Sequence, residues 1–264
     1  MIKNAITLIH DAARLAAVGS IDAPIYLDVD IGIDRFTGTS GDDVYVNVPV
    51  KSIFALGHCN FWEAGDTWRS ATSNLAGEGW DEQVFNYFDH PLKENDFPAP
   101  RSRRELRLST AGGLCGCTNG NHRLVAGRAW LTSQYGDGAQ FQLVKVQYRQ
   151  LSASVRAFLV ESVMRGTSVR TAQVHHSYGA TASADCEILL QRESDPDCVF
   201  GLKKDCVVKL TDHGNGRARK NFRPPPRSLE EYGGYNVVTT PLDVVKAMLD
   251  DAWILSQLAN AERW

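Results

Sequence analysis

Thr118-Asn119-Gly120-Asn121-His122-Arg123-Leu124-Val125-Ala126 places a Gly-x-His-Arg turn directly before an apolar, helix-forming segment. Gly120 supplies the backbone freedom of a tight turn, and the N–H groups that open the next helix attract anions. Arg123 adds a planar fork of donors suited to phosphate, and His122 a group that donates, accepts or carries a proton near neutral pH. Upstream, Glu105-Leu106-Arg107-Leu108 alternates as a strand does and leads into the Gly-rich turn Gly112-Gly113-Leu114-Cys115-Gly116. Downstream, a helix fits 123–132, where Ala126 and Trp130 stand four apart and Leu124 and Leu131 seven apart on one inner face. Beyond the loop 134–138, the segment 141–148 carries Leu143, Val144 and Val146 and reads as a buried strand. The order is strand, Gly-rich turn, helix, strand.

Further out, Val44, Val46, Val48 and Val50 alternate with polar residues as a strand with one buried face. Ile25 to Ile33 alternates too, which predicts a strand forming a hairpin with it through the turn 38–43. Asp28, Asp30 and Asp34 would then share one face. The N-terminal 2–18 segment mixes apolar residues with Lys3, Asp11 and Arg14 and reads as an amphipathic helix, not a signal peptide.

In this setting the chain resembles the ParB/sulfiredoxin superfamily, through the strand Val46-Asn47-Val48-Pro49-Val50-Lys51-Ser52-Ile53 and the turn Gly120-Asn121-His122-Arg123 with Ala126 in the helix. The resemblance covers about 45–148. It implies a turn that holds a nucleotide phosphate, with Thr118, Gly120, Asn121, His122 and Arg123 as binding residues and ATP or CTP, with Mg²⁺, as ligand. Sulfiredoxins carry a catalytic cysteine where this chain has Asn121, so sulfinic-acid reduction is not implied. Chromosome-partition ParB proteins carry a second arginine where this chain has His122. The superfamily's free-serine kinases use an upstream acidic base, for which Glu63, Glu78 and Glu82 are the candidates and Glu82 is carried forward beside His122 and Arg123 as a catalytic residue.

Between the two elements lies an inserted segment, 61–100, rich in Trp, Glu, Asn and Pro, in which 82–88 reads as helical and Trp62, Trp68 and Trp80 are candidates for stacking on a base. It ends at Arg101-Ser102-Arg103-Arg104-Glu105-Leu106-Arg107, four arginines in seven residues. Such a cluster is an electrostatic footprint for nucleic acid or polyphosphate. Arg217 and Arg219, in a basic, proline-rich stretch, join Arg101, Arg103 and Arg104 as candidate DNA contacts.

The expected organisation is α+β: a ParB/sulfiredoxin-like domain over 1–150, and a C-terminal α/β extension over 151–264 with a helix in 152–171, short strands at 187–191 and 206–210, and a final helix over 241–260 capped by Thr240. The 264 residues carry a formal net charge of −3, ordinary for a globular domain and unlike a uniformly basic nucleic-acid coat protein. No stretch approaches the ~18 apolar residues of a membrane span, so a cytoplasmic protein without a membrane partner is expected. Six cysteines lack the Cys-x-x-Cys spacing of a structural zinc site, and the His175-His176 pair lacks a third ligand at metal spacing. No metal site is therefore expected. Two function classes follow: a nucleotide-dependent phosphotransferase or NTPase, and a DNA-binding protein or ParB-like nuclease of a plasmid, phage or other mobile element.

Overall fold

The computed structural model describes residues 4–17, 19–38, 41–173, 188–203, 205–210, 229 and 237–259. The fold is α+β. Contacts divide the chain into two units, Met1–Val29 with Ser40–Arg149 and Asp250–Trp264, and Asp30–Thr39 with Gln150–Leu249. Each unit is thus discontinuous in sequence: 30–39 belongs with the C-terminal part and 250–264 with the N-terminal part.

The first unit holds a six-stranded mixed sheet. Its strands are β1 (Tyr26–Leu27), β2 (Asp42–Pro49), β3 (Ile53–Leu56), β4 (Arg107–Ala111), β5 (Leu114–Asn119) and β6 (Gln140–Tyr148), in the order β1-β3-β5-β4-β6-β2. β1, β3 and β5 run parallel, β4 folds back on β5, and β2 lies antiparallel to β6 at the edge. β2 shows the predicted alternation, with Val44, Val46 and Val48 buried. The predicted hairpin with 25–33 is replaced: after the two residues of β1 the chain turns into a short helix α2 (Asp28–Ile31) and a 3-10 turn over Ile33–Phe36. Alternation alone did not discriminate, because Ile31 and Ile33 are buried from helical turns just as they would be from a strand. The acidic row Asp28, Asp30, Asp34 on one strand face does not form.

The Gly-rich turn is shorter than expected. Gly112-Gly113 closes the β4–β5 hairpin, and Cys115-Gly116-Cys117 lies inside the buried strand β5. Burial pushes both thiols up, Cys117 to about 12, so neither is a thiolate near neutral pH.

Helices α1 (Ala5–Leu15), α3 (Trp68–Ser73) and α4 (Gln83–Asp89) pack around α5 (Asn121–Tyr135), which also touches β5 and β6. α5 is covered over most of its first three turns: 123–129 is buried throughout, together with Asn121, Leu131 and Thr132, while His122 is exposed at its head. The single inner face predicted for it is therefore too narrow, because helices cover the side that a surface helix would turn to water. Gly127 marks the closest approach, where a Cβ would stand 2.6 Å from Phe141 and 2.7 Å from Phe88. Trp130 is held differently, with its ring 4.2 Å from Phe85 and its Nε1 donating to Asp89 at 2.8 Å.

The second unit contains helix α6 (Ala153–Met164) and strands β7 (Val169–Gln173), β8 (Ile188–Arg192), β9 (Val199–Lys203), β10 (Cys206–Lys209) and β11 (Val237–Thr240), an all-antiparallel sheet in the order β10-β9-β8-β7-β11. Buried Arg192 lies against the edge-to-face pair Phe158 and Phe200, its guanidinium 4.2 and 5.0 Å from their rings, and pairs with Glu161 at 2.7 Å. Segment 30–39 is tied in by Arg35, which donates to the Thr171 carbonyl, and by Thr240, whose hydroxyl donates to the Ile31 carbonyl at 2.8 Å. Thr240 thus ends a strand instead of capping a helix. The predicted final helix is two, α7 (Leu242–Leu249) and α8 (Ala252–Leu258), separated at Asp250-Asp251, where the chain passes from the second unit to the first. Likewise the helix expected over 152–171 stops at Met164 and the chain becomes β7. His175, His176, Arg217 and Arg219 lie outside the described residues. Among the described residues, no helix is long and apolar enough to cross a membrane.

Candidate functional site

Strands β3 and β5 run side by side and end at the same edge of the sheet, and α5 begins there. Their carboxyl ends, Gly57-His58 and Asn119-Gly120, are joined by Asn121, whose Oδ1 accepts the Gly57 N–H at 2.9 Å. Gly120 has φ +92° and ψ +33°, the left-handed geometry that bends β5 into α5. The first helical hydrogen bond runs from Leu124 N to the Gly120 carbonyl at 2.9 Å. The N–H groups of Asn121, His122 and Arg123 therefore stand outside the helical ladder, and no side chain caps them from position 120.

A cleft of about 400 Å³ opens over this turn. Gly120, Asn121, His122 and Arg123 form one wall, Arg101 and Arg103 another, and His58, Glu78, Trp80 and Phe97 complete it. His122 packs edge-on against Phe61 and His58, with ring centroids 4.4 and 5.7 Å away. Lost water contact, and secondarily the facing His58, lower the His122 pKa below its ordinary value, so the ring is neutral near pH 7. Neutral, it offers one donor and one acceptor.

Arg123 behaves differently from the phosphate fork that its position suggests. Its side chain is buried and folded back: Nη1 reaches the Arg104 carbonyl and the Tyr87 hydroxyl at 3.4 Å, Nη2 the Glu105 carbonyl at 3.3 Å, and the guanidinium stands 5.4 Å from the Phe97 ring. A Cβ on residue 120 would lie 2.9 Å from Nη2, so a side chain there would displace the guanidinium, while the positive φ is what favours glycine at the turn. Asn119 reinforces the arrangement by donating its side-chain amide to the Glu105 carbonyl. Arg123 thus pins the arginine-rich segment against the head of α5.

The structure brings Gly120, Asn121, His122, Arg123, Arg101 and Arg103 to one cleft. Thr118 is exposed and turned to β4, donating to the Arg107 carbonyl at 3.1 Å. Glu82 precedes α4 and does not line the cleft; the carboxylate that does is Glu78, one of the three sequence candidates. Arg104 faces a neighbouring cleft. Of the three tryptophans, Trp68 is buried against Arg128 and Trp62 is buried with its Nε1 on the His58 carbonyl, leaving Trp80 at the cleft. Sequence reasoning missed His58 and Phe61: only the β3–β5 pairing brings them beside His122, and no local spacing announces it. Among the described residues, no group of three His, Cys, Asp or Glu side chains could hold a metal ion. No family model, no curated protein and no solved structure matches this chain.

Proposed function

We propose that this protein binds a nucleoside triphosphate, ATP or CTP, in the cleft at the head of α5. One observation carries the reading: the main-chain amides at the head of α5, which Gly120 leaves without a side-chain cap, open into the same cleft as Arg101, Arg103 and Trp80, and neither arginine forms an ion pair among the described residues. The cleft lies outside the carboxyl ends of adjacent parallel strands, where open sheets with a strand-turn-helix connection take their ligands. The amides of 121–123 and the guanidiniums of Arg101 and Arg103 suit phosphate, and Trp80 offers a face to the base. Mg²⁺ would enter with the phosphates, with Glu78 as the carboxylate of the cleft; if the protein hydrolyses or transfers a phosphoryl group, Glu78 and neutral His122 are the groups available to orient the acceptor.

The test is thermal stabilisation by ATP, CTP and GTP with Mg²⁺, on the wild type and on Arg103→Ala. A shift selective for one nucleotide and lost in the variant supports the reading; no shift with any nucleotide refutes it.

One observation favours DNA as a competing ligand. Arg101, Arg103 and Arg104 are all exposed, and none forms an ion pair among the described residues. DNA affinity that falls steeply with salt and is lost on neutralising the three would support that reading, with the protein then acting on the DNA of a mobile element.

A further inference from the structure

The rings of His122, Phe61 and His58 meet in a mutually perpendicular corner at the head of α5. His122 and Phe61 stand 4.4 Å apart at 83°, His122 and His58 5.7 Å apart at 84°, and His58 and Phe61 5.9 Å apart at 80°. Trp62 anchors the turn that carries the last two, its Nε1 donating to the His58 carbonyl at 2.8 Å. The corner thus fixes the orientation of the His122 ring at the cleft. His58 Nδ1 is buried and has no hydrogen-bond partner among the described residues, so the second imidazole is not committed elsewhere through that atom.

The charges around this corner oppose a proton on His122 until an anion arrives. The charged and titratable groups lining the cleft are His58, Glu78, Arg101, Arg103, His122 and Arg123. Arg123 is turned to backbone carbonyls, which leaves two guanidiniums against one carboxylate. Desolvation, and secondarily the facing His58, keep the His122 ring neutral near pH 7. A phosphate held at the α5 amides reverses the balance, because negative charge beside the ring favours imidazolium. Room remains for one such charge only, since two imidazoliums would face each other across 5.7 Å.

We infer that anion binding in this cleft is proton-linked: as a phosphate group enters at the head of α5, His122 takes up a proton and donates to it, and His58 limits the corner to a single charge. The inference rests on the phosphate end of the nucleotide reading. It makes His122 a third cation toward the ligand, beside Arg101 and Arg103, and leaves to Glu78 the orienting of any acceptor. Uptake is confined to the window between the His122 midpoint of the free protein and the higher midpoint of the complex. Inside that window affinity falls as pH rises, by up to about tenfold per unit. Below it the ring is already charged and above it the ring stays neutral, so affinity levels off at both ends.

The test is calorimetric titration with ATP and CTP in the presence of Mg²⁺, and with inorganic sulfate, in two buffers of different ionisation enthalpy. Wild type and His122→Asn are compared near pH 7. Sulfate keeps both charges through the neutral range, and the variant subtracts the titration of the nucleotide's own phosphates. Wild type should bind with heats that differ between buffers, the mark of proton uptake, and His122→Asn should bind more weakly with the uptake lost. Nucleotide binding with no uptake, or with uptake unchanged in His122→Asn, overturns the inference and leaves the nucleotide reading standing. If neither nucleotide binds, that reading falls and sulfate decides: uptake through His122 sustains the inference, whereas sulfate binding without uptake, or no sulfate binding, overturns it. The His122 imidazole resonances of wild type, followed by NMR over pH, give a measure independent of any variant. Their midpoint should rise when the bound anion is present, and an unmoved midpoint overturns the inference.

Discussion

Arg123 Nη2 donates to the main-chain carbonyl of Glu105 at 3.3 Å, which ties the head of α5 to the segment that separates the two clefts. An arginine placed by sequence to grip phosphate is spent on backbone carbonyls, and the cations left open to a ligand are Arg101 and Arg103. Arg123→Ala should therefore act on stability first, lowering it by about 1–3 kcal/mol through unpaired buried groups. Arg123→Lys should not restore it, because an ammonium lacks the planar fork. Arg103→Ala should stay within about 0.5 kcal/mol of wild type, since its side chain is exposed. Urea denaturation of the three variants distinguishes a structural Arg123 from a ligand-binding one.

Arg128 is wholly buried, donating to the carbonyls of Val50 and Ser20 at 2.6 Å and of Ile53 at 2.8 Å, with its guanidinium 4.2 Å over Trp68. Burial brings its pKa down to about 9, a sign of how little water reaches it. Arg128→Ala should cost about 3 kcal/mol or more, leaving three carbonyls unpaired and a void over the indole. Arg128→Met, which keeps the volume but not the donors, should recover part of the loss in the same unfolding measurement.

Gly127 lets α5 approach Phe88 and Phe141. Gly127→Ala gains helix propensity but overpacks this contact, for a net loss of about 1–3 kcal/mol. Combining it with Phe88→Leu should cost less than the sum of the two single changes; strict additivity in a double-mutant cycle would show that the contact carries no strain.

Asp22 accepts from Arg69 Nε at 2.7 Å and Nη2 at 2.8 Å, and Arg69 also donates to the carbonyls of Ala13 and Ala16. The Arg69 hydrogen bond outweighs burial and lowers the Asp22 carboxyl below its ordinary value. The contribution is then complete above the unfolded carboxylate value of about 3.9, and disappears as pH falls through the lower folded value. The gap in unfolding midpoint between wild type and Asp22→Asn should be flat from about pH 7 to 5 and close below about pH 4. A gap that widens with acid would reverse the assigned sign.

Cys59 and Cys206 are exposed, whereas Cys115 and Cys117 are buried with raised pKa values. A thiol reagent should modify the first two in the native protein and reach the β5 pair only after unfolding. Rapid native labelling of Cys117 would mean that the head of β5 opens to solvent.

Local pattern alone determined the alternating valines of β2, the amphipathic α1, the Gly120 turn with its following helix, and the strand after it, because periodicity and glycine chemistry act over a few neighbouring residues. It was ambiguous for 25–36, where buried isoleucines fit a strand and a helical turn equally well, and for 241–260, where one apolar stripe continues across a break. Only the tertiary structure decided the rest. Pairing of β3 with β5 set His58 and Phe61 beside His122, and burial of α5 on nearly all sides turned Arg123 and Arg128 inward to backbone carbonyls. These depend on contacts between residues tens of positions apart, which have no signature in the spacing of their own neighbours.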